Sequence, residues 1–126
     1  MFDNIDAIAT VAVRDLGAAR RFYEQTLGLK PIDSQGEEVI VYRTGKSALN
    51  VYRSQFAGTN QATAVTWNVG GAIDDVVAKL KAKGVKFEHY DGIVTDAKGI
   101  SPRAGGGKVA WFNDPDGNTF AIEGDS

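Results

Sequence analysis

His89 is the only imidazole of this chain, and there is no cysteine. These two counts exclude a site built on two or three histidines of one chain, a two-histidine zinc motif, and all thiol or disulfide chemistry. A Ser-His-Asp arrangement would have to rest on His89 alone. That residue lies in Phe87-Glu88-His89-Tyr90, at the end of a predicted strand, and reads as a partly exposed strand-end side chain. A general-base role would require a substrate proton within hydrogen-bond reach. Asp74-Asp75 is a first-turn helix signal and not a catalytic dyad, because carboxylates favour the positive end of the helix dipole. Gly105-Gly106-Gly107 lacks the Lys-Ser/Thr and the following helix of a phosphate loop, and reads as a connector or a flexible lid. Arg14, Arg43, Arg53 and Arg103 are positions at which an anionic ligand could be met, against the plainer reading of surface charge. What remains is amphipathic binding chemistry. Tyr42, Tyr52, Trp67, Tyr90, Trp111 and Phe112 offer aromatic surface, and Glu123 offers a strand-end carboxylate. Aromatic walls with a few polar groups are what small-molecule pockets use.

The totals narrow the partners. A chain of 126 residues with 43% hydrophobic and 24% charged side chains has the size and composition of one globular domain. A net charge of −2 without a basic stripe gives nucleic-acid binding little support. No apolar run approaches the roughly 20 residues that span a bilayer. Met1-Phe2-Asp3-Asn4-Ile5-Asp6 lacks the basic start and apolar core of a signal peptide, so the cytoplasm is the expected compartment.

The elements that must position these groups come from an internal repeat. Gly28 and Gly84 are 56 residues apart, and the same spacing separates Thr10 from Thr66 and Val13 from Val69. Each copy opens on a strand, Ile8–Val13 and Ala64–Val69, with the period-two alternation of a half-buried strand. In the second copy Val65, Trp67 and Val69 oppose Ala64, Thr66 and Asn68. A helix follows in each. The first has Asp15 as N-cap, the stripe Ala18, Ala19, Phe22, Tyr23 and Leu27, and Gly28 as its left-handed stop. The second has Ile73, Val76, Val77 and Leu80, with Gly84 as its stop. Three strands then follow each helix: 29–35, 38–44 and 48–54, with turns at Gln35-Gly36 and Gly45-Lys46, and 85–90, 108–113 and 119–123. Asp114-Pro115-Asp116-Gly117 joins the last two as a hairpin turn. Residues 91–107 read as an insertion and 55–62 as a linker. The fold class is therefore α+β, a single domain of two tandem βαβββ modules, about 5–54 and 62–124. Helices cover one face of a curved mixed sheet, and the other face, small and polar, forms a cup.

Three segments carry a family resemblance. Val13-Arg14-Asp15-Leu16 with Phe22-Tyr23 and Leu27-Gly28-Leu29 resembles an opening V-x-D-L…F-Y…L-G-L. Phe112-Asn113-Asp114-Pro115-Asp116-Gly117-Asn118 resembles a closing F-x-D-P-D-G-N. Val69 through Phe87 fits between them. In this order they resemble the vicinal-oxygen-chelate superfamily, which includes glyoxalases, bleomycin-resistance proteins and extradiol dioxygenases. The resemblance implies that each module gives one metal ligand from its first strand and one from its last. Those positions fall on Ile8, Asn50, Ala64 and Ala121. Isoleucine and alanine have no donor atom, and one Asn amide cannot hold a transition metal against water. A shift of two residues would offer Asp6 or Glu123, yet the first strand of module two still has only Ala62, Ala64, Thr66 and Asn68 to give.

The function this implies is metal-independent sequestration of a small molecule, without a cofactor and by resemblance in a homodimer. The expected pocket residues are Asn50, Tyr52, Thr66, Asn68, Trp111 and Glu123. Asn and Thr would orient the ligand, Tyr and Trp would supply apolar area, and Glu123 would meet a cation or a donor. Parity puts Tyr52 on the same face as Asn50 and turns Trp67 toward the helix. One alternative is a lyase, isomerase or dioxygenase of the same superfamily with a non-standard site. Another is a structural or regulatory protein that kept the fold.

Overall fold

The computed structural model describes residues 1–35, 38–103 and 105–125. The predicted turn at Gln35-Gly36 therefore falls partly outside the described residues. The chain forms two compact units, Met1–Thr59 and Asn60–Ser126, each built as βαβββ around its own four-stranded mixed sheet.

In the first unit the elements are β1 (Ala9–Val13), α1 (Leu16–Arg20), β2 (Lys30–Gln35), β3 (Val39–Thr44) and β4 (Ser47–Arg53). The sheet order is β1-β4-β3-β2, with β1 and β4 parallel and the other pairs antiparallel. Asp15 caps the helix, its carboxylate accepting from the Gly17 amide at 2.9 Å. The helix then widens into a π-helical stretch, Arg21–Thr26, and the chain leaves it at Gly28 with φ 73°. A period of 3.6 does not anticipate that widening. Its effect is to turn Tyr23 wholly inward, stacked on Tyr42 with ring centroids 5.9 Å apart. Val11, Val13, Ile40, Tyr42, Leu49 and Val51 complete this core. They are the alternate residues on the helix side of the sheet, as strand geometry requires.

Tyr42 carries a testable consequence. Its phenol donates to Glu24 Oε2 at 2.8 Å, and Arg20 Nη1 lies 3.2 Å from the same oxygen. Burial, then the bond to Glu24 and its negative charge, push the phenol well above its ordinary value of 10.0. Above that pH the unfolded chain releases the proton while the native state keeps it. The contribution is thus complete below about pH 10 and is lost as pH rises toward the folded value. Thermal melts through this alkaline range are expected to fall less steeply for Tyr42→Phe than for the parent protein.

The second unit contains β5 (Thr63–Asn68), α2 (Ile73–Ala82), β6 (Ile100–Pro102), β7 (Lys108–Asn113) and β8 (Thr119–Gly124), in the sheet order β5-β8-β7-β6. Helix α2 packs on β7 and β8 and buries Ile73, Val77 and Leu80. Its acidic first turn is used: Asp74 takes Lys108 at 3.2 Å and Lys98 at 3.6 Å. Beneath the helix, Phe112 sits between Phe87 and Phe120, with centroids 5.7 and 5.6 Å away. Trp67 meets Phe120 edge-on on the same face.

One expected strand is displaced. Residues 85–90 do not form a strand but make a single bridge, Phe87 to Phe112. The sheet edge is completed by β6, which lies inside the segment read as an insertion and pairs Ile100 with Ala110. The reason is local. Asp96 Oδ1 accepts from the Lys98 and Ile100 amides at 2.8 and 2.9 Å, and Gly99 takes φ 90° at a place where a β-carbon would lie 2.7 Å from Phe87 Cβ. That turn brings only three residues back alongside β7. They are too few, with Pro102 among them, to show alternation in the sequence.

Candidate functional site

Cross-strand register fixes which side chains share a face. In the second unit, Thr66, Ala121 and Trp111 form one row, and Asn68, Glu123 and Val109 the next. Both rows lie on the side of the sheet away from α2. Thr66, Asn68, Trp111 and Glu123 are therefore brought together on one face. In the first unit, Thr10, Asn50 and Val41 form a row, followed by Ala12, Tyr52 and Val39, again opposite the helix. Asn50 and Tyr52 are neighbours on this open face, and Tyr52 is exposed.

Two of these side chains already have work within the chain. Asn68 Oδ1 accepts from the Gly70 amide at 2.9 Å, and the residue is exposed. Glu123 pairs with Arg103 at 3.0 Å, so the cation it meets comes from the loop before β7. Gly107 makes that contact possible. A β-carbon there would lie 2.6 Å from the Gly124 carbonyl and 3.0 Å from the Arg103 guanidinium, and its φ of 88° is one that side-chain-bearing residues avoid. Of the glycine run, Gly107 is thus closely packed, while Gly105 and Gly106 have open space around them.

The open face of the second unit also holds groups that sequence reasoning did not place there. Tyr90 rests edge-on against Trp111, centroids 5.6 Å apart. Burial and the Glu88 charge raise its phenol above the ordinary value, partly offset by a bond with the Thr119 hydroxyl. Asn113 donates from Nδ2 to Glu88 Oε1 at 3.2 Å, while its Oδ1 is buried with no hydrogen-bond partner among the described residues. Parity on β7 would have put Asn113 beside Trp111. For Tyr90 no periodic signal exists, because it follows a bridge and not a strand. His89 is exposed, with Nδ1 2.7 Å from Thr95 Oγ1.

The family model of the Glyoxalase/Bleomycin resistance protein/Dioxygenase superfamily matches residues 4–122. The chain belongs to this superfamily. No curated protein matches it in sequence. Among solved structures, the lactoylglutathione lyase of Agrobacterium tumefaciens superposes with a TM-score of 0.74 at 15% identity, covering 96% of this chain and 93% of that one. The fosfomycin resistance protein FosX of Listeria monocytogenes, complexed with Mn(II) and sulfate, gives 0.72 at 17% identity over 100% and 93%. A glyoxalase family protein of Enterococcus faecalis gives 0.74 at 20% over 98% and 99%. At these identities the likeness concerns the glyoxalase fold alone.

Four positions correspond to the glyoxalase-type metal ligands. Ile8 precedes β1 and is exposed. Asn50 lies opposite Thr10 and Val41, and Ala121 opposite Thr66 and Trp111. Ala64 falls at the irregularity between Thr63 and Val65, where it has no cross-strand partner. Of the row neighbours only Thr66 and Thr10 bear an oxygen, as hydroxyls, which are weak ligands for a divalent transition ion. Among the described residues no group of three or more His, Cys, Asp or Glu is placed to hold a metal. The described residues at these positions do not fit a divalent metal ion.

Proposed function

We propose that this glyoxalase-superfamily protein binds and sequesters a small molecule without a metal, acting as a homodimer. The observation that carries the reading is the donor chemistry of the open faces. Where the superfamily resemblance puts metal ligands, this chain has Ile8, Asn50, Ala64 and Ala121. The same faces carry an amphipathic set instead. On the second unit Trp111 and Tyr90 form an aromatic wall, with Thr66 and Asn68 offering hydroxyl and amide groups on the same face; on the first unit Asn50 offers an amide next to the exposed Tyr52. A binding site needs apolar area and a few oriented polar groups. A metal-dependent lyase, isomerase or dioxygenase needs in addition a Lewis acid to polarise its substrate, and these side chains do not hold one.

Metal analysis tests the first half of the reading. After incubation with zinc, manganese or iron and buffer exchange, the protein is expected to retain far less than one equivalent. Near-stoichiometric metal that is lost on substitution of Asn50 would overturn metal independence. The second half is read by a thermal-shift screen over neutral, anionic and cationic compounds. At least one stabiliser, recovered chemically unchanged, is expected. A stabiliser that is converted would make the protein an enzyme with a non-standard site, and no stabiliser from a broad panel would favour a structural role. Light scattering at micromolar concentration is expected to give twice the chain mass.

A further inference from the structure

We infer that the end of the first unit's sheet around Arg43 is a subsite for a small organic anion with an apolar body. This deepens the binding reading above and rests on it. The subsite is a cleft of about 480 Å³ whose lining includes Ile8, Ile32, Arg43, Lys46, Ser47 and Ala48.

Its charge arrangement is set by the backbone. Lys30 on β2 stands directly across from Arg43 on β3, and Arg43 in turn across from Ala48 on β4. Directly opposed residues share a face and bring their β-carbons within about 5 Å, so like charges there repel. A third cation is added at the hairpin between β3 and β4. Thr44 pairs with Ser47, which leaves Gly45-Lys46 as a two-residue loop. Gly45 takes φ 59° and Lys46 does not have a positive φ, the pattern that requires glycine at the first loop position. The turn holds Lys46 at the tip, at the edge of the same cleft.

Three other arginines are neutralised. Arg20 holds Glu24, Arg53 holds Glu38 and Arg103 holds Glu123. The side chains of Lys30, Arg43 and Lys46 make no ion pair or hydrogen bond among the described residues. Asp6 is the only carboxylate in the cleft lining, against the two cations Arg43 and Lys46, and Lys30 adds a further positive charge across from Arg43. Beside them Ile8 and Ile32 leave about half of their surface in water, 52% and 48%. Uncompensated cations next to exposed aliphatic surface suit a carboxylate or phosphate head on a hydrocarbon body. The guanidinium fork would take two of its oxygens, and the isoleucines would cover the body.

The probes are benzoate and phenyl phosphate, with neutral benzamide and inorganic phosphate as comparisons, measured by titration calorimetry on the whole chain. Phenyl phosphate is expected to bind more tightly than inorganic phosphate, benzoate measurably, and benzamide at least tenfold more weakly than benzoate. Affinity for the anions should fall with added salt. Arg43→Gln should weaken phenyl phosphate about tenfold, and Lys46→Gln by a smaller factor. Both positions are exposed, and Arg43→Gln removes a like-charge contact, so the unliganded melting temperature should be unchanged or slightly raised. Benzamide binding as well as benzoate would overturn the subsite. So would anion binding that survives both substitutions, or no anion binding at millimolar concentration. Anion binding that persists in Arg43→Gln but disappears in Trp111→Ala would sink the subsite and leave the sequestering reading intact. A panel in which only neutral compounds stabilise the protein would do the same.

Discussion

Phe112→Ala is expected to destabilise the protein by about 4 kcal/mol, while Trp111→Ala, one residue earlier, should cost about 1 kcal/mol and weaken ligands held on its own face about tenfold or more. The two side chains leave β7 on opposite faces. Phe112 is 1% exposed and is gripped by Phe87 and Phe120, so its removal leaves a cavity that two rings and a helix cannot collapse to fill. Against a total stability of about 5–15 kcal/mol, that loss should lower the melting temperature on the order of 10–15 °C. Trp111 keeps part of its surface in water and meets Tyr90 edge-on. Truncation there removes one aromatic contact, worth about 1 kcal/mol, together with the largest apolar surface of the open face. A compound held on the Trp111 face should then bind Trp111→Ala tenfold or more weakly, while Phe112→Ala, measured well below its melting point, should retain most of its affinity for it. If the losses fall the other way round, the faces of β7 have been assigned in reverse and the site with them.

The faces were legible in the sequence because strand periodicity is strict. Placing Asn50 and Tyr52 together, and Trp67 opposite Thr66, requires only that each strand exist and run straight. The spacing of 56 residues between the copies also anticipated equivalent strands in both units, and β5-β8 repeats the parallel pairing of β1-β4. What escaped the sequence was whatever depends on side chain–backbone bonds in loops. The turn at Asp96, held by its own carboxylate, carries the edge strand away from 85–90 and into the segment that read as an insertion. The π-helical turn at Arg21–Thr26 leaves no signature in a 3.6-residue pattern.

The candidate site was legible in the same measure. Its strand residues followed from parity, and the absence of donor atoms at Ile8, Ala64 and Ala121 followed from residue type alone. Tyr90, by contrast, reaches Trp111 from a bridge segment that has no period. The pairing of Glu123 with Arg103 depends on how the chain folds back at Gly107. Both are properties of loop paths, and loop paths are decided by a few hydrogen bonds and close backbone approaches that no run of hydrophobic residues encodes.

Asp114→Ala is expected to cost about 3 kcal/mol and, unlike Phe112→Ala, to disturb the binding face as well. Asp114 is 5% exposed and its carboxylate is fully engaged. Oδ1 accepts from the Asp116 and Asn118 amides at 3.0 and 2.8 Å, and Oδ2 accepts from Asn118 Nδ2 at 2.8 Å. Alanine would strand the Asn118 donors in a site where that residue is itself 6% exposed, and each buried donor left without a partner costs about 1–3 kcal/mol. Asp114→Asn should be milder, about 1 kcal/mol, because the Asn118 amide can turn its oxygen toward the new N–H. Asn118→Asp should be severe at neutral pH, where two carboxylates would meet, and should recover as acid protonates one of them. Urea denaturation at neutral and acidic pH separates the three variants. This turn matters to the site because it sets the register of β7 against β8, pairing Trp111 with Ala121 and Phe112 with Phe120. A slip of one residue would turn Phe112 outward and Trp111 under the helix. Asp114→Ala should therefore lose ligand affinity even in the folded fraction, whereas a variant that loses three kcal/mol from the core alone should not. Affinity retained at full strength in folded Asp114→Ala would show that the rest of the ladder holds the register without the turn.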